Sequence, residues 1–262
     1  MFTVIAIIMY TAFTFGDPHI VTLDNLKYTF NGFGEYVLIE TQDDSFTLQG
    51  RMIQARDTDG SLISATAYSA IVAKQSDSDT VQFQVVDSEI IVDDIDALVN
   101  GELLDFEGLS NQQFNNVTLH KMGNTISAIF SSGVHIEVKV ENGIVSVLSA
   151  TLPRIYKSKT AGLMGNYNGD PSDDLVPRYK EEPISSSSNA EEVHRLFGIT
   201  CEWIKVKPYS FHHKIATNDP AYISTWESQY YYGIEQGGMQ LASYLAKFKL
   251  IYRQILGTHD AV

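Results

Sequence analysis

The chain has 262 residues, 44% of them hydrophobic, enough for a sizeable core in one large or two modest domains. Its 18 Lys and Arg against 32 Asp and Glu leave a formal charge of -14, which repels phosphate backbones and anionic lipid, excludes nucleic acid as a partner and favours cations. One cysteine, Cys201, excludes an internal disulfide and a Cys-rich zinc site, so stability must come from packing or from a bound ion.

Residues 1–13 are an apolar leader within the uncharged run "MFTVIAIIMYTAFTF", which is shorter than the roughly 20 residues that span a bilayer. No basic residue precedes it, and bulky Tyr10 stands at -3 from Ala12. It therefore reads as part of a signal peptide, as a buried first strand, or as a piece of a strand whose chain starts upstream.

From residue 19 to about 150 the apolar pattern has period two, as in "EYVLIE" (35–40), "SFTLQGRMI" (45–53), "TVQFQVV" (80–86), "NVTLHKM" (116–122) and "VHIEVKVE" (134–141). Between these stand "NGFG", "DTDG", "MGN", "SSG" and "ENG", which supply the positive φ angles and Asx turns of hairpins. The pattern predicts a mostly β protein of two packed antiparallel sheets, sandwich-like or barrel-like, with a few short helices.

Residues 162–182 break the rhythm, being rich in Gly, Asn, Asp and Pro. A serine run follows, then a short helix predicted from near Asn189, whose side chain and the two glutamates after it suit a helix N-terminus, to Gly198. Beyond 205 the chain becomes aromatic, and "MQLASYLAKFKLIYRQIL" (239–256) sets Leu241, Tyr244, Leu245, Phe248, Tyr252 and Ile255 at helical spacing, a C-terminal docking helix. No internal repeat of fixed period is present.

The loop "GLMGNYNGDPSDDLVP" (162–177) is the most informative for chemistry. Asn166, Asn168 and Asp170 alternate, Gly169 frees the backbone, and Asp173 and Asp174 add carboxylates. Oxygen donors at this spacing suit calcium, which takes roughly 6–8 oxygens. The same pattern also suits a solvated Asn/Asp turn. It departs from an EF-hand, since Pro177 stands where the bidentate glutamate belongs. No G-x-S-x-G elbow, H-E-x-x-H pair or phosphate-binding glycine loop occurs, so no catalytic set is assigned and no small-molecule substrate is expected. Asn116, Val117 and Thr118 form an N-glycosylation sequon.

Taken together, "GDPHIVTLDNLKYTFNGFGEYVLIE" (16–40), "SFTLQGR" (45–51), "GLMGNYNGDPSDDL" (162–175) and "LFGITCEW" (196–203) resemble the von Willebrand factor type D domain. The cysteine-poor branch found in membrane mucins and sushi-domain-containing surface proteins is the most similar. The resemblance covers 14–205 as one domain and leaves 206–262 as a partly helical extension. It implies an extracellular or cell-surface location and a calcium site joining the opening and closing blocks. Its ligands would be Asp24, Asn166, Asn168, Asp173 and Asp174, and Asp24 comes from the resemblance alone. Gel-forming relatives carry a cysteine where this chain has Met164, so disulfide-linked polymerisation is not expected.

Two functions follow from the resemblance. The first is a non-enzymatic, calcium-stabilised module for adhesion or assembly, with other extracellular domains or proteins as partners and a membrane reached only through segments beyond this chain. The alternative is self-cleavage of the Asp17–Pro18 bond, known in some type D domains. There the Asp17 carboxyl attacks its own carbonyl carbon, the proline nitrogen leaves with a proton that His19 could shuttle, and an anhydride remains.

Overall fold

Alternating burial carries the architecture. The computed structural model describes residues 9–201, apart from 17, 33, 57–60, 87–91, 107–109, 178–181 and 185–189. All of these belong to the first of the chain's two units, Met1–His212. The extension 206–262, with the helix expected over 239–256, lies outside the described residues.

The strands are β1 (Met9–Phe15), β2 (His19–Val21), β3 (Lys27–Thr29), β4 (Gly34–Thr41), β5 (Phe46–Arg56), β6 (Leu62–Gln75), β7 (Val81–Val85) and β8 (Ile95–Val99). They continue as β9 (Glu102–Leu103), β10 (Asn111–Phe114), β11 (Val117–Met122), β12 (Thr125–Phe130), β13 (His135–Glu141), β14 (Ile144–Pro153) and β15 (Thr160–Ala161). A helix, α1 (Ala190–Leu196), stands where one was expected, followed by a 3-10 turn at Gly198–Cys201. No helix among the described residues is long and apolar enough to cross a membrane.

Every pairing is antiparallel, and the main hydrogen-bonded path runs β10-β11-β12-β13-β14-β6-β5-β4-β15, with β1 to β3 branching from β14 and β7 to β9 from β6. Among the described residues the ladders of the two halves join at one pair, Val145 with Tyr68. The mostly β, sandwich-like expectation therefore holds, but as one sheet curled over its own core. The reason is visible in side-chain directions. On β13, Ile136, Val138 and Val140 point inward while His135, Glu137 and Lys139 point out, so that half must cover an apolar layer, and the other half supplies it. Phe46 on β5 and Phe130 on β12 meet edge-on across that layer, ring centroids 5.4 Å apart.

β6 escapes the period-two reading because it does not alternate: Ala67, Tyr68, Ala70, Ile71, Val72 and Ala73 are all buried. A strand covered on both faces reads as a continuous run of small and apolar residues. β1 falls within the apolar run at the start of the chain; it pairs along its whole length with β14, from Met9 opposite Pro153 to Phe15 opposite Val147.

The opening and closing blocks are held together by aromatic packing. Phe30 lies edge-on to Tyr36 at 4.9 Å and against His194 of α1 at 5.6 Å, and Tyr28 meets Phe197 at 6.5 Å. The Tyr28 hydroxyl donates to the carbonyl of Leu163. Backbone bonds from Leu163 and Met164 to Val37 and Leu38 of β4, and from Leu23 to Met164, set the start of the 162–177 loop against the turn after β2. Met164 is fully buried, so its side chain is part of the core.

Candidate metal centre

The turn after β2 and the loop after β15 are far apart in sequence, yet their oxygen-bearing side chains form one network. Asp24 Oδ2 accepts from the backbone N–H of Asn168 at 2.7 Å, across 144 residues. Asn168 Nδ2 donates to both carboxylate oxygens of Asp173, at 3.0 and 2.8 Å. Asn166 Nδ2 donates to Asp173 Oδ1 at 2.7 Å, and its backbone N–H donates to Asp174 Oδ1 at 3.0 Å. All five residues that the resemblance implied as ligands are thus brought together.

Three further residues shape this network. Thr22 Oγ1 donates to Asp174 Oδ2 at 2.5 Å and accepts from the Leu26 N–H at 2.9 Å, so it orients the carboxylate. Gly165, at φ +88°, leaves the space that Asp174 fills: a Cβ there would stand 2.2 Å from Asp174 Oδ1. Tyr167, between the two asparagines, has a left-handed backbone, φ +53°, and a buried ring. None of the three has the carboxylate or amide that marks a calcium ligand, so spacing rules miss them. Asp170, by contrast, caps the 3-10 turn Pro171–Asp173, accepting from the Ser172 N–H at 2.9 Å, and its carboxyl is exposed.

Electrostatically the network is short of positive charge. Asp174 is 3% exposed, and burial, with Asp24 and Asp173 nearby, pushes its carboxyl up to about 6 against the lowering effect of the Thr22 and Asn166 hydrogen bonds. Asp24 Oδ1 and Asn166 Oδ1 are buried acceptors that take no hydrogen bond. Unpaired buried oxygens beside three carboxylates are costly unless a cation meets them. Among the described residues no group of three His, Cys, Asp or Glu side chains stands close enough to hold a metal. An ion here would therefore draw on the asparagine oxygens, which is the hard, mixed donor set calcium takes. The residues present fit calcium.

Asp17 lies outside the described residues. Pro18 is buried, its carbonyl accepting from the Phe30 N–H at 3.0 Å. His19 is exposed on β2, with Nδ1 2.9 Å from Thr29 Oγ1 and its ring 5.4 Å from that of Phe15. Asn116 sits exposed in the turn between β10 and β11, its Nδ2 donating to the Asp77 carbonyl at 3.0 Å and to Asp77 Oδ2 at 3.1 Å.

The family profile of the von Willebrand factor type D domain matches residues 12–181. The chain belongs to this family. Sushi domain-containing protein 2 of Homo sapiens is 34% identical over 166 residues, which cover 63% of this chain and 20% of that protein. Mucin-4 of Rattus norvegicus is 36% identical over 199 residues, 73% of this chain and 8% of the mucin. Protein mesh of Bombyx mori is 33% identical over 193 residues, 70% of this chain and 12% of the relative. The chain spans a fifth or less of the length of these three relatives. An extracellular or cell-surface location follows from this membership of the type D family. Type D domains of mucin-like proteins are generally not enzymes.

Proposed function

We propose that this type D domain is a non-enzymatic, calcium-stabilised module that supports adhesion or assembly within a longer extracellular protein, and that it acts on other extracellular domains or proteins. What carries the reading is the pair of buried, unbonded oxygens, Asp24 Oδ1 and Asn166 Oδ1, within a network that includes Asp173 and Asp174. Bound calcium would satisfy both oxygens and offset the mutual repulsion of the carboxylates. It would also fasten the turn after β2 to the 162–177 loop, joining the two ends of the fold. Titration calorimetry with calcium chloride is expected to give one site in the wild type. Asp24→Ala and Asp174→Ala, each removing one carboxylate, should weaken binding at least about tenfold, or about 1.4 kcal/mol. Unchanged affinity in both variants would remove calcium from the proposal.

Self-cleavage at Asp17–Pro18 is the second reading. It is favoured by the position of His19, exposed one residue past the bond and held in orientation by Thr29 and Phe15. Incubated in mild acid, the folded protein is expected to release a fragment beginning at Pro18, seen by mass spectrometry. An intact wild-type chain after prolonged incubation would leave the block with its structural role alone.

A further inference from the structure

We infer that Tyr167 couples the cation loop to strand β1, so that filling the site tightens β1 on the domain and undocking β1 loosens the site. The inference rests on the calcium reading above, and its test separates the two.

Tyr167 stands between Asn166 and Asn168, the two amides of the network, so its backbone conformation sets where both point. That conformation is left-handed, which an aromatic side chain rarely adopts unless its surroundings hold it. The Tyr167 hydroxyl is buried without a hydrogen bond, so the side chain is held by packing and not by a polar anchor. The packing comes from β1: the Tyr10 ring lies 5.2 Å from the Tyr167 ring. Tyr167 is 1% exposed while Tyr10 is 40% exposed, so Tyr10 is a cover, and lifting β1 would bare the loop's aromatic anchor. On its other side the Tyr167 carbonyl accepts from the Ser158 N–H at 2.7 Å, just past the end of β14, the strand on which β1 lies.

Beyond its backbone pairing with β14, β1 has little side-chain hold on the domain. The side chains it buries are small, Ala12 and Thr14, while Phe13 and Phe15 remain partly exposed on its outer face. Its hold on β2 extends over only three pairs, Phe13 with Val21 to Phe15 with His19. A strand that buries little apolar bulk opens at low free energy, and a contact to an ordered loop raises that free energy. Calcium orders the loop, the ordered loop fixes Tyr167, and Tyr167 holds Tyr10. By linkage the effect is reciprocal: whatever detaches β1 lowers calcium affinity by the same factor.

Hydrogen exchange of the full chain, in calcium chloride and in EDTA, reads this directly. Calcium is expected to slow exchange in residues 9–15 together with 162–175. Tyr10→Ala should bind calcium at least about fivefold more weakly, while Tyr10→Phe, which keeps the ring, should bind as the wild type does. If calcium protects 162–175 and leaves 9–15 unchanged, the coupling is overturned and the calcium site stands. If neither segment responds, the calcium reading has failed and the coupling falls with it. The wild-type exchange decides the matter even if Tyr10→Ala does not fold.

Discussion

Replacing Gly165 with alanine is expected to destabilise the domain by about 2–4 kcal/mol and to abolish calcium binding. The new Cβ would lie 2.2 Å from Asp174 Oδ1 and 2.7 Å from its Cγ, well inside van der Waals contact. Asp174 is on a short side chain held from two sides, by Thr22 and by the Asn166 N–H, so it cannot swing away without losing both bonds. Gly169→Ala is the matched control. Gly169 is also left-handed, at φ +100°, but its nearest neighbour would be the flexible end of Lys157 at 3.5 Å. It should therefore cost only the backbone penalty, about 1–2 kcal/mol. Chemical denaturation of both variants measures the difference. Equal losses would mean that the carboxylate is not confined as described.

Removing calcium with EDTA at pH 7 is expected to lower the melting temperature by about 5–10 °C. A ligand at a hundred times its Kd adds about 2.7 kcal/mol, and a domain of this size shifts by about 2–4 °C per kcal/mol. The effect should fade in acid. Burial pushes the Asp174 carboxyl up to about 6, above the ordinary aspartate value of 3.8. A carboxyl with a raised folded-state pKa subtracts stability above that pKa, and the loss is relieved as pH falls through it. The penalty is on the order of 3 kcal/mol at neutral pH, and a bound cation would offset it. Below pH 6 the proton neutralises the carboxylate instead and competes with the metal. The gain in melting temperature from calcium should thus be full at pH 7 and small near pH 4.5; a gain independent of pH over that range would exclude Asp174 as a ligand.

Where one face of a strand is wet and the other dry, its limits were legible. "VHIEVKVE" became β13, because the alternation is a direct record of which side meets water; "EYVLIE" fell within β4, which is buried on both faces, through its β-branched and aromatic residues instead. Where both faces are covered the record is erased, and β6, the longest strand described, passed unnoticed among alanines and serines. The candidate site divides in the same way. Asn166, Asn168, Asp173 and Asp174 stand close together in a glycine-bearing loop and announce an oxygen cluster by themselves. Asp24 became legible through likeness to a family. Thr22, Gly165 and Tyr167 did not, since a hydroxyl, a missing Cβ and an aromatic ring carry no ligand signature until their neighbours are known.

By itself, then, the sequence determined the acidic surface, the antiparallel β architecture, the short helix near the end of the domain and the oxygen-rich loop. These depend on residue type and on spacing within one element, and both are local. Only the tertiary structure decided that the two halves join through Val145 and Tyr68, that Asp24 reaches Asn168, and that Tyr10 covers Tyr167. Each of these contacts links residues brought together by the closing of the sheet on its core, and burial of the apolar layer, which has no direction of its own, is what selects those partners.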